Sequence, residues 1–158
     1  GVQTYALPIF DIIVSNAPAT VSTYQDGIKA AGGKLVELGN IDPAYIDACI
    51  NREVDFPTGL LLANGEGIAI PHGNSDLVKK DSISVVRLEK SVDFGRMEDK
   101  DLQVSCSLIF NLALASGEQH ISILRKLIGQ FQDDEFVNTC QNAEQNEVQA
   151  YIAKKLAE

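Results

Sequence analysis

Residues 104–114, VSCSLIFNLAL, form a nearly continuous apolar run, and this run decides the class of fold. The run has the length of a strand, and its second half is apolar at successive positions rather than at alternate ones. A strand that is buried on both faces has this character, as in the middle of a covered sheet. We therefore predict a central strand here, with helices on both faces of its sheet.

Helix signals lie on both sides of this strand. Asp42-Pro43 is a helix start, and the apolar residues that follow at helical spacing predict a helix to about Val54. Residues 22–38 are compatible with an earlier helix. After the strand, one helix follows residue 116, a second opens at Asp133, and a third covers residues 147–157.

Further strands are predicted at residues 68–70 and 82–88, with a charged turn at residues 95–101. Helices, then strands, then helices predict an α/β fold (mixed α+β): a single domain with a mixed central sheet flanked by helices on both faces. Residues 1–21 contain Pro8 and Pro18 and are predicted to form an irregular N-terminal extension.

Composition excludes several classes of function. The 158 residues suit one domain, and 45% are hydrophobic, with no stretch long enough for a membrane span. A net charge of -9 disfavours binding to nucleic acid, which requires clustered Lys and Arg. Cys49, Cys106 and Cys140 are widely spaced, which predicts reduced thiols of a cytoplasmic protein rather than disulfides or a zinc site.

His72 follows the predicted strand at residues 68–70 and is one of two histidines in the chain. Pro71 cannot donate a hydrogen bond to a sheet, and Gly73 permits a sharp turn and the close approach of another molecule. We therefore expect His72 to face outward. The pattern alone leaves two interpretations open: a nucleophile or ligand, and a structural histidine beside a turn.

His120, the second histidine, is predicted to lie in the first turn of a helix, because Ser116 and Gln119 match a capping box. The positive field of a helix N-terminus favours the neutral imidazole, which can donate a hydrogen bond to an anion. The alternative is that His120 only borders the apolar face that continues with Leu124 and Leu127.

Three further polar residues are candidates for the site: Arg52, Thr58 and Glu66. Each also has a purely structural interpretation, since an arginine in the last turn of a helix stabilises its dipole and a threonine in a turn caps its own backbone. The acidic segment at residues 97–101 lacks the ligand spacing of a calcium loop, and the chain has no nucleotide-binding glycine motif. We therefore expect no metal and no cofactor.

A family resemblance connects these residues. The stretch GEGIAIPHG at residues 65–73, with Arg52-Glu53 and FPTGL at residues 56–60 before it and GEQHISILRKL at residues 117–127 after it, resembles the IIA component of the bacterial phosphoenolpyruvate-dependent sugar phosphotransferase system. The likeness is to the fructose/mannitol superfamily, with a turn similar to the galactitol type. It covers roughly residues 42–155, so that residues 1–158 are expected to form one IIA domain.

The resemblance implies roles for the candidate residues. His72 would accept a phosphoryl group from phospho-HPr and pass it to a cysteine of the IIB component, which phosphorylates the sugar that the IIC transporter takes up. His120 and Arg52 would stabilise the phosphoryl group, with Thr58 and Glu66 as supporting residues. Exposed apolar residues near His72, among them Leu77 and Val78, would contact the partner proteins.

Two alternatives stay open at this stage. A similar phosphohistidine serves regulation in the nitrogen-type IIA proteins and in the IIA domains of transcriptional regulators. A protein of another class, a non-catalytic module, would use His72 and His120 to bind an anion or a metal.

Overall fold

A computed structural model describes residues 11–115 and 117–158, apart from the side chain of Gln119. These residues form strands and helices in the order β1 (Asp11–Ala17), α1 (Tyr24–Glu37), α2 (Ala44–Asp55), β2 (Gly59–Leu61), β3 (Gly67–Ala69), β4 (Ser82–Arg96), β5 (Asp99–Ala113), α3 (Gly117–Gln130), α4 (Asp134–Asn142) and α5 (Gln145–Ala157). A 3-10 turn at Ser75–Leu77 lies between β3 and β4. None of the helices in the described ranges is long and apolar enough to cross a membrane.

The strands form one mixed sheet, as predicted. Strands β4 and β5 make a long antiparallel hairpin, and β1 pairs with β4 in parallel. On its other side β5 pairs in parallel with β3, which is antiparallel to β2. A single pairing of Gly59 with Arg96 brings β2 back to the end of β4. Because of this pairing, the start of β2 lies beside the tip of the hairpin.

Helices cover both faces of the sheet, and each face has its own apolar core. One core joins the sheet to α3, α4 and α5 and includes Phe110, Leu127 and Phe136. The other joins it to α1 and α2 and includes Leu35, Tyr45 and Ile109. Adjacent residues of β5 thus face opposite cores, which explains why its sequence is apolar at successive positions.

The helix starts confirm the sequence-based boundaries. An oxygen of Asp42 accepts a hydrogen bond from the backbone N–H of Ala44 at the start of α2. The side chains of Thr23 and Asp133 cap α1 and α4 in the same way. These bonds satisfy donors that have no partner inside the helix. The capping box predicted for Ser116 and Gln119 lies outside the described residues.

Two predictions along the chain were wrong. The expected irregular extension contains β1, whose Asp11–Ala17 pair with residues 82–88 of β4 at the edge of the sheet. The charged turn expected at residues 95–101 is mostly strand, with only Met97 and Glu98 between β4 and β5. Both segments are partly exposed, so their sequences lack the apolar pattern of a buried strand.

Candidate functional site

The backbone around His72 is fixed by hydrogen bonds from several elements. The carbonyl oxygen of Pro71 accepts from the backbone N–H of Leu112 at 3.0 Å and from Nδ2 of Asn111 at 2.9 Å. On the other side of His72, the N–H of Gly73 donates to the hydroxyl of Tyr45 at 3.0 Å. The segment after β3 is therefore held both by β5 and by α2, which makes it a rigid support for an imidazole.

The ring of His72 has a defined tautomer. Its Nδ1 lies 2.9 Å from the carbonyl oxygen of Ile70, and a carbonyl can only accept, so Nδ1 carries the proton and donates it. Nε2 consequently keeps its lone pair. Burial lowers the pKa of His72 to about 4, with smaller contributions in the same direction from His120 and Arg52. The ring is thus neutral and nucleophilic at physiological pH.

His120 lies beside His72 although 48 positions separate them in the sequence. It belongs to the first turn of α3, and the two ring centroids are 4.6 Å apart with an edge-to-face angle of 72°. Nε2 of His120 is buried and has no hydrogen-bond partner among the residues that the structure describes. Burial, followed by the charge of Arg52, lowers the pKa of His120, which therefore is a neutral donor or acceptor.

Arg52 supplies the positive charge at the site. Its guanidinium lies over the ring of Phe56, 4.9 Å from the centroid, in a cation–π contact. Both residues line a cleft of about 370 Å³ that also contains Thr58, His72 and Leu124. The side chain is exposed and makes no salt bridge within the described ranges, so its charge is available to an anion in the cleft.

The tip of the β4–β5 hairpin forms another wall of this cleft, through residues 97–100. Several apolar side chains near the cleft are exposed: Phe56 at 61%, Met97 at 39% and, on α3, Ile121 at 56%. Leu77 and Val78 are not part of such a surface. Val78 is buried, and both side chains pack against the core beneath α1 and α2. The expected apolar surface therefore exists, but it consists of other residues.

Thr58 occupies the cleft wall at the start of β2. Its hydroxyl accepts from the backbone N–H of Ile70 at 3.1 Å and donates to the carboxylate of Glu53 at 3.0 Å. The backbone N–H of Thr58 donates to the same carboxylate at 2.7 Å. Burial raises the pKa of Glu53 to about 7, against the opposite effect of these hydrogen bonds.

Glu66 lies elsewhere. It precedes β3, whereas His72 follows that strand, so the two residues are at opposite ends of it. Oε2 of Glu66 accepts hydrogen bonds from Ser107 at 3.1 Å and from Gln141 at 3.2 Å. These bonds tie β3 to β5 and α4. The structure therefore does not bring Glu66 to the cleft that contains His72.

Of the five predicted residues, Arg52, Thr58 and His72 line one cleft, and the ring of His120 lies against that of His72. Sequence analysis missed Glu53, Tyr45 and Asn111, which hold the segment around His72. Glu53 and Asn111 could have been found from a weak signal in the sequence. Glu53 is a carboxylate beside an arginine, and Asn111 is an amide inside an apolar strand; each needs a hydrogen-bonding partner when it is buried.

The assembled groups suit transfer of a small anionic group. A neutral imidazole with a free lone pair lies against a second imidazole, beside a guanidinium that can balance negative charge. In the described part of the chain, no three or more His, Cys, Asp and Glu side chains cluster as metal ligands. The groups that the site does offer are a nitrogen nucleophile and hydrogen-bond donors.

Comparison with known proteins identifies relatives. Residues 9–155 match the family model "Phosphoenolpyruvate-dependent sugar phosphotransferase system, EIIA 2". The mannitol-specific phosphotransferase enzyme IIA component of Enterococcus faecalis is 37% identical over 109 residues, covering 67% of this chain and 70% of that protein. The galactitol-specific EIIA component of Escherichia coli K12 is 30% identical over 123 residues, with 78% and 81% covered.

The fold is also that of a solved structure. The complex of enzyme IIA for mannitol with phosphorylated enzyme IIB, from Escherichia coli, contains a chain that superposes with a TM-score of 0.67 at 24% identity. The superposition covers 91% of this chain and 94% of the other. The match over the first strand extends the likeness beyond residues 42–155, the part that the motifs indicated.

Proposed function

The chain belongs to the EIIA 2 family of the phosphoenolpyruvate-dependent sugar phosphotransferase system, and from this premise we propose that Nε2 of His72 is the atom that carries the phosphoryl group. The protein is a phosphocarrier of that system, a phosphotransferase component. The observation that supports the assignment is the hydrogen bond from Nδ1 of His72 to Ile70, which leaves the lone pair on Nε2.

Transfer of the phosphoryl group to His72 requires no cofactor, because the bond that forms is matched by one that breaks. The lone pair of Nε2 forms a new N–P bond while the bond between phosphorus and the donor atom breaks, and its electron pair stays on the donor atom. The transition state spreads negative charge over three equatorial oxygens. Since Nδ1–H remains bonded to the Ile70 carbonyl, the ring does not rotate as the phosphoryl group arrives.

His120 and Arg52 would stabilise that charge. His120 presents its buried Nε2 next to the ring of His72, and a phosphoryl oxygen would be the acceptor for an N–H there. Arg52 offers a planar set of donors at the mouth of the cleft, which suits phosphoryl oxygens. Thr58 would act by holding the Ile70 backbone. Stabilisation by preorganised donors is typical of phosphoryl transfer.

The partners follow from the family. The donor would be phospho-HPr, and the acceptor a cysteine of a IIB component that works with a IIC transporter. The Escherichia coli IIA chain with the same fold was solved together with phosphorylated IIB. The exposed side chains of Phe56, Met97 and Ile121 would contact both partners in turn. We place this exchange in the cytoplasm, because Cys49, Cys106 and Cys140 are all free thiols.

A reconstituted phosphorylation tests the proposal. The purified chain is incubated with phosphoenolpyruvate, enzyme I and HPr, and mass spectrometry under alkaline conditions identifies the modified residue. We expect phosphate on His72, no phosphate on His72→Ala, and slow phosphorylation of His120→Ala. Phosphate that persists in His72→Ala but disappears in His120→Ala would reverse the two roles and overturn the assignment.

A further inference from the structure

Glu53 is a buried carboxylate that the proposed transfer does not use. It is 5% exposed and forms no salt bridge with any residue that the structure describes. In the described ranges its hydrogen bonds all come from one residue, Thr58, through the backbone N–H and the hydroxyl. Burial of a carboxyl group without an ion pair is unfavourable, so this arrangement costs the fold stability.

The bonds of Thr58 continue from Glu53 towards His72. The Thr58 hydroxyl accepts from the N–H of Ile70, and the carbonyl of Ile70 accepts from Nδ1 of His72. Both hydrogen-bonding groups of Ile70 are thus engaged, one towards the carboxyl group and one towards the imidazole. A displaced Thr58 would release the Ile70 backbone, and with it the acceptor that defines the tautomer of His72.

We propose that Glu53 is a positioning residue for His72, acting through Thr58 and the backbone of Ile70 to keep Nδ1 protonated and Nε2 free. Glu53 touches neither the imidazole nor a phosphoryl group. The Thr58 hydroxyl can donate to a carboxylate or accept from a carboxylic acid, so the connection holds in both protonation states of Glu53. The effect of Glu53 on the rate of transfer rests on the proposed role of His72, whereas its effect on the tautomer does not.

The first measurement concerns the unphosphorylated protein and is independent of the transfer reaction. Long-range ¹H–¹⁵N correlation spectra of the imidazoles report which nitrogen of His72 is protonated. We expect the Nδ1–H tautomer in the wild type and in Glu53→Gln, whose amide oxygen still accepts from Thr58. In Glu53→Ala and in Thr58→Val we expect a mixture of tautomers.

The second measurement is the rate of phosphoryl transfer from phospho-HPr. We expect a loss of about tenfold or more in Glu53→Ala and a rate within about threefold of the wild type in Glu53→Gln. The double variant Glu53→Ala/Thr58→Val should be no slower than the slower single variant, because both act on one chain of hydrogen bonds.

A matched control separates positioning from general loss of stability. Asp133→Ala removes a carboxylate that caps α4, away from the cleft, and should lower the melting temperature without changing the tautomer or the rate. If Glu53→Ala is folded and keeps both the Nδ1–H tautomer and the wild-type rate, the proposal is wrong. If Glu53→Ala does not fold, the tautomer and the transfer rate of Thr58→Val test the proposal in the same way. A wild type that takes no phosphate on His72 refutes the proposed function, and the tautomer still decides the role of Glu53.

Discussion

The hydroxyl of Tyr45 accepts a hydrogen bond from the N–H of Gly73 at 3.0 Å, which links helix α2 to the residue after His72. The same hydroxyl donates to the carbonyl of Leu112 at 2.6 Å, so one buried phenol joins α2, the His72 segment and β5. Because Tyr45 is fully buried, water cannot replace these bonds when the hydroxyl is removed.

Tyr45→Phe should therefore destabilise the protein and loosen the site together. We expect a loss of about 1–3 kcal/mol in the free energy of unfolding, since a buried donor and a buried acceptor are left unpaired. Urea denaturation measures this loss, and Tyr151→Phe, at a partly buried ring on α5, is the control. Equal stability of the Tyr45 variant and the wild type would show that the phenol is not a structural link.

Protonation of His72 should weaken the fold in acid. Its pKa is about 4 in the folded protein, below its ordinary value of 6.5, so between these values the unfolded chain binds more protons and stability rises with pH. On acidification from pH 7 to pH 4, we expect His72→Gln to lose roughly 2–3 kcal/mol less stability than the wild type. Denaturation curves at a series of pH values provide the test, and parallel losses would contradict it.

Glu53 should have the opposite dependence on pH. Its pKa is about 7 in the folded protein, above its ordinary value of 4.5, so its contribution to stability is present below pH 4.5 and is lost as the pH rises through 7. Glu53→Gln removes this titration. From pH 4.5 to pH 7, its stability should improve relative to that of the wild type by roughly 2–3 kcal/mol. A constant difference between the two proteins would mean that Glu53 titrates normally.

Arg52 should control both the rate of transfer and the protonation of the two histidines. Arg52→Ala is expected to slow transfer on the order of 100-fold, the effect of losing one preorganised group that stabilises the transition state. It should also raise the pKa values of His72 and His120, which the guanidinium lowers. Arg52→Lys keeps the charge and separates the two effects: NMR titration should show little change in these pKa values, while transfer stays impaired.

Alanine variants of Gly73 and Gly33 distinguish a glycine that is required by a close contact from one that only adds backbone flexibility. A Cβ at Gly73 would lie 3.3 Å from backbone atoms of Ala48 and Cys49 in α2, whereas a Cβ at Gly33 in α1 would meet nothing within 4 Å. We expect Gly73→Ala to cost about 1–3 kcal/mol and to slow transfer, because α2 or the His72 segment must move. Gly33→Ala should stabilise α1 by about 0.5–1 kcal/mol at an unchanged rate.

The histidines and the helices could be predicted from sequence because their signals are local. Asp42 and Asp133 precede helices that the structure confirms, and His72 follows a proline that ends an extended segment. The strand β1 left no comparable signal, since only one side of it pairs and its side chains are partly exposed. The prediction of a turn at residues 95–101 was wrong for a similar reason, because charged residues are also common in the exposed strands of a hairpin.

The connections around the site depend on tertiary structure and could not be predicted. Glu53 has the sequence context of an exposed helix residue, next to Arg52, and the turn between α2 and β2 brings Thr58 against it. The same holds for Glu66, which stands close to His72 in sequence but is carried to the far end of β3. The spacing of residues in a sequence predicts which of them are close within one helix or strand. It does not predict these contacts, because they join different elements.

The two cores lie on opposite faces of the sheet, and the site takes one residue from each side of that division. His120 comes from α3, which packs on one face, and Arg52 comes from α2, which packs on the other. His72 stands between them at the end of a strand. Neither layer alone holds a working set of groups, so fragments that retain only one layer should be inert even when they keep their helices. Phosphorylation of His72 is consequently a sensitive assay of complete folding, because it requires that both helical layers are packed correctly around one imidazole nitrogen.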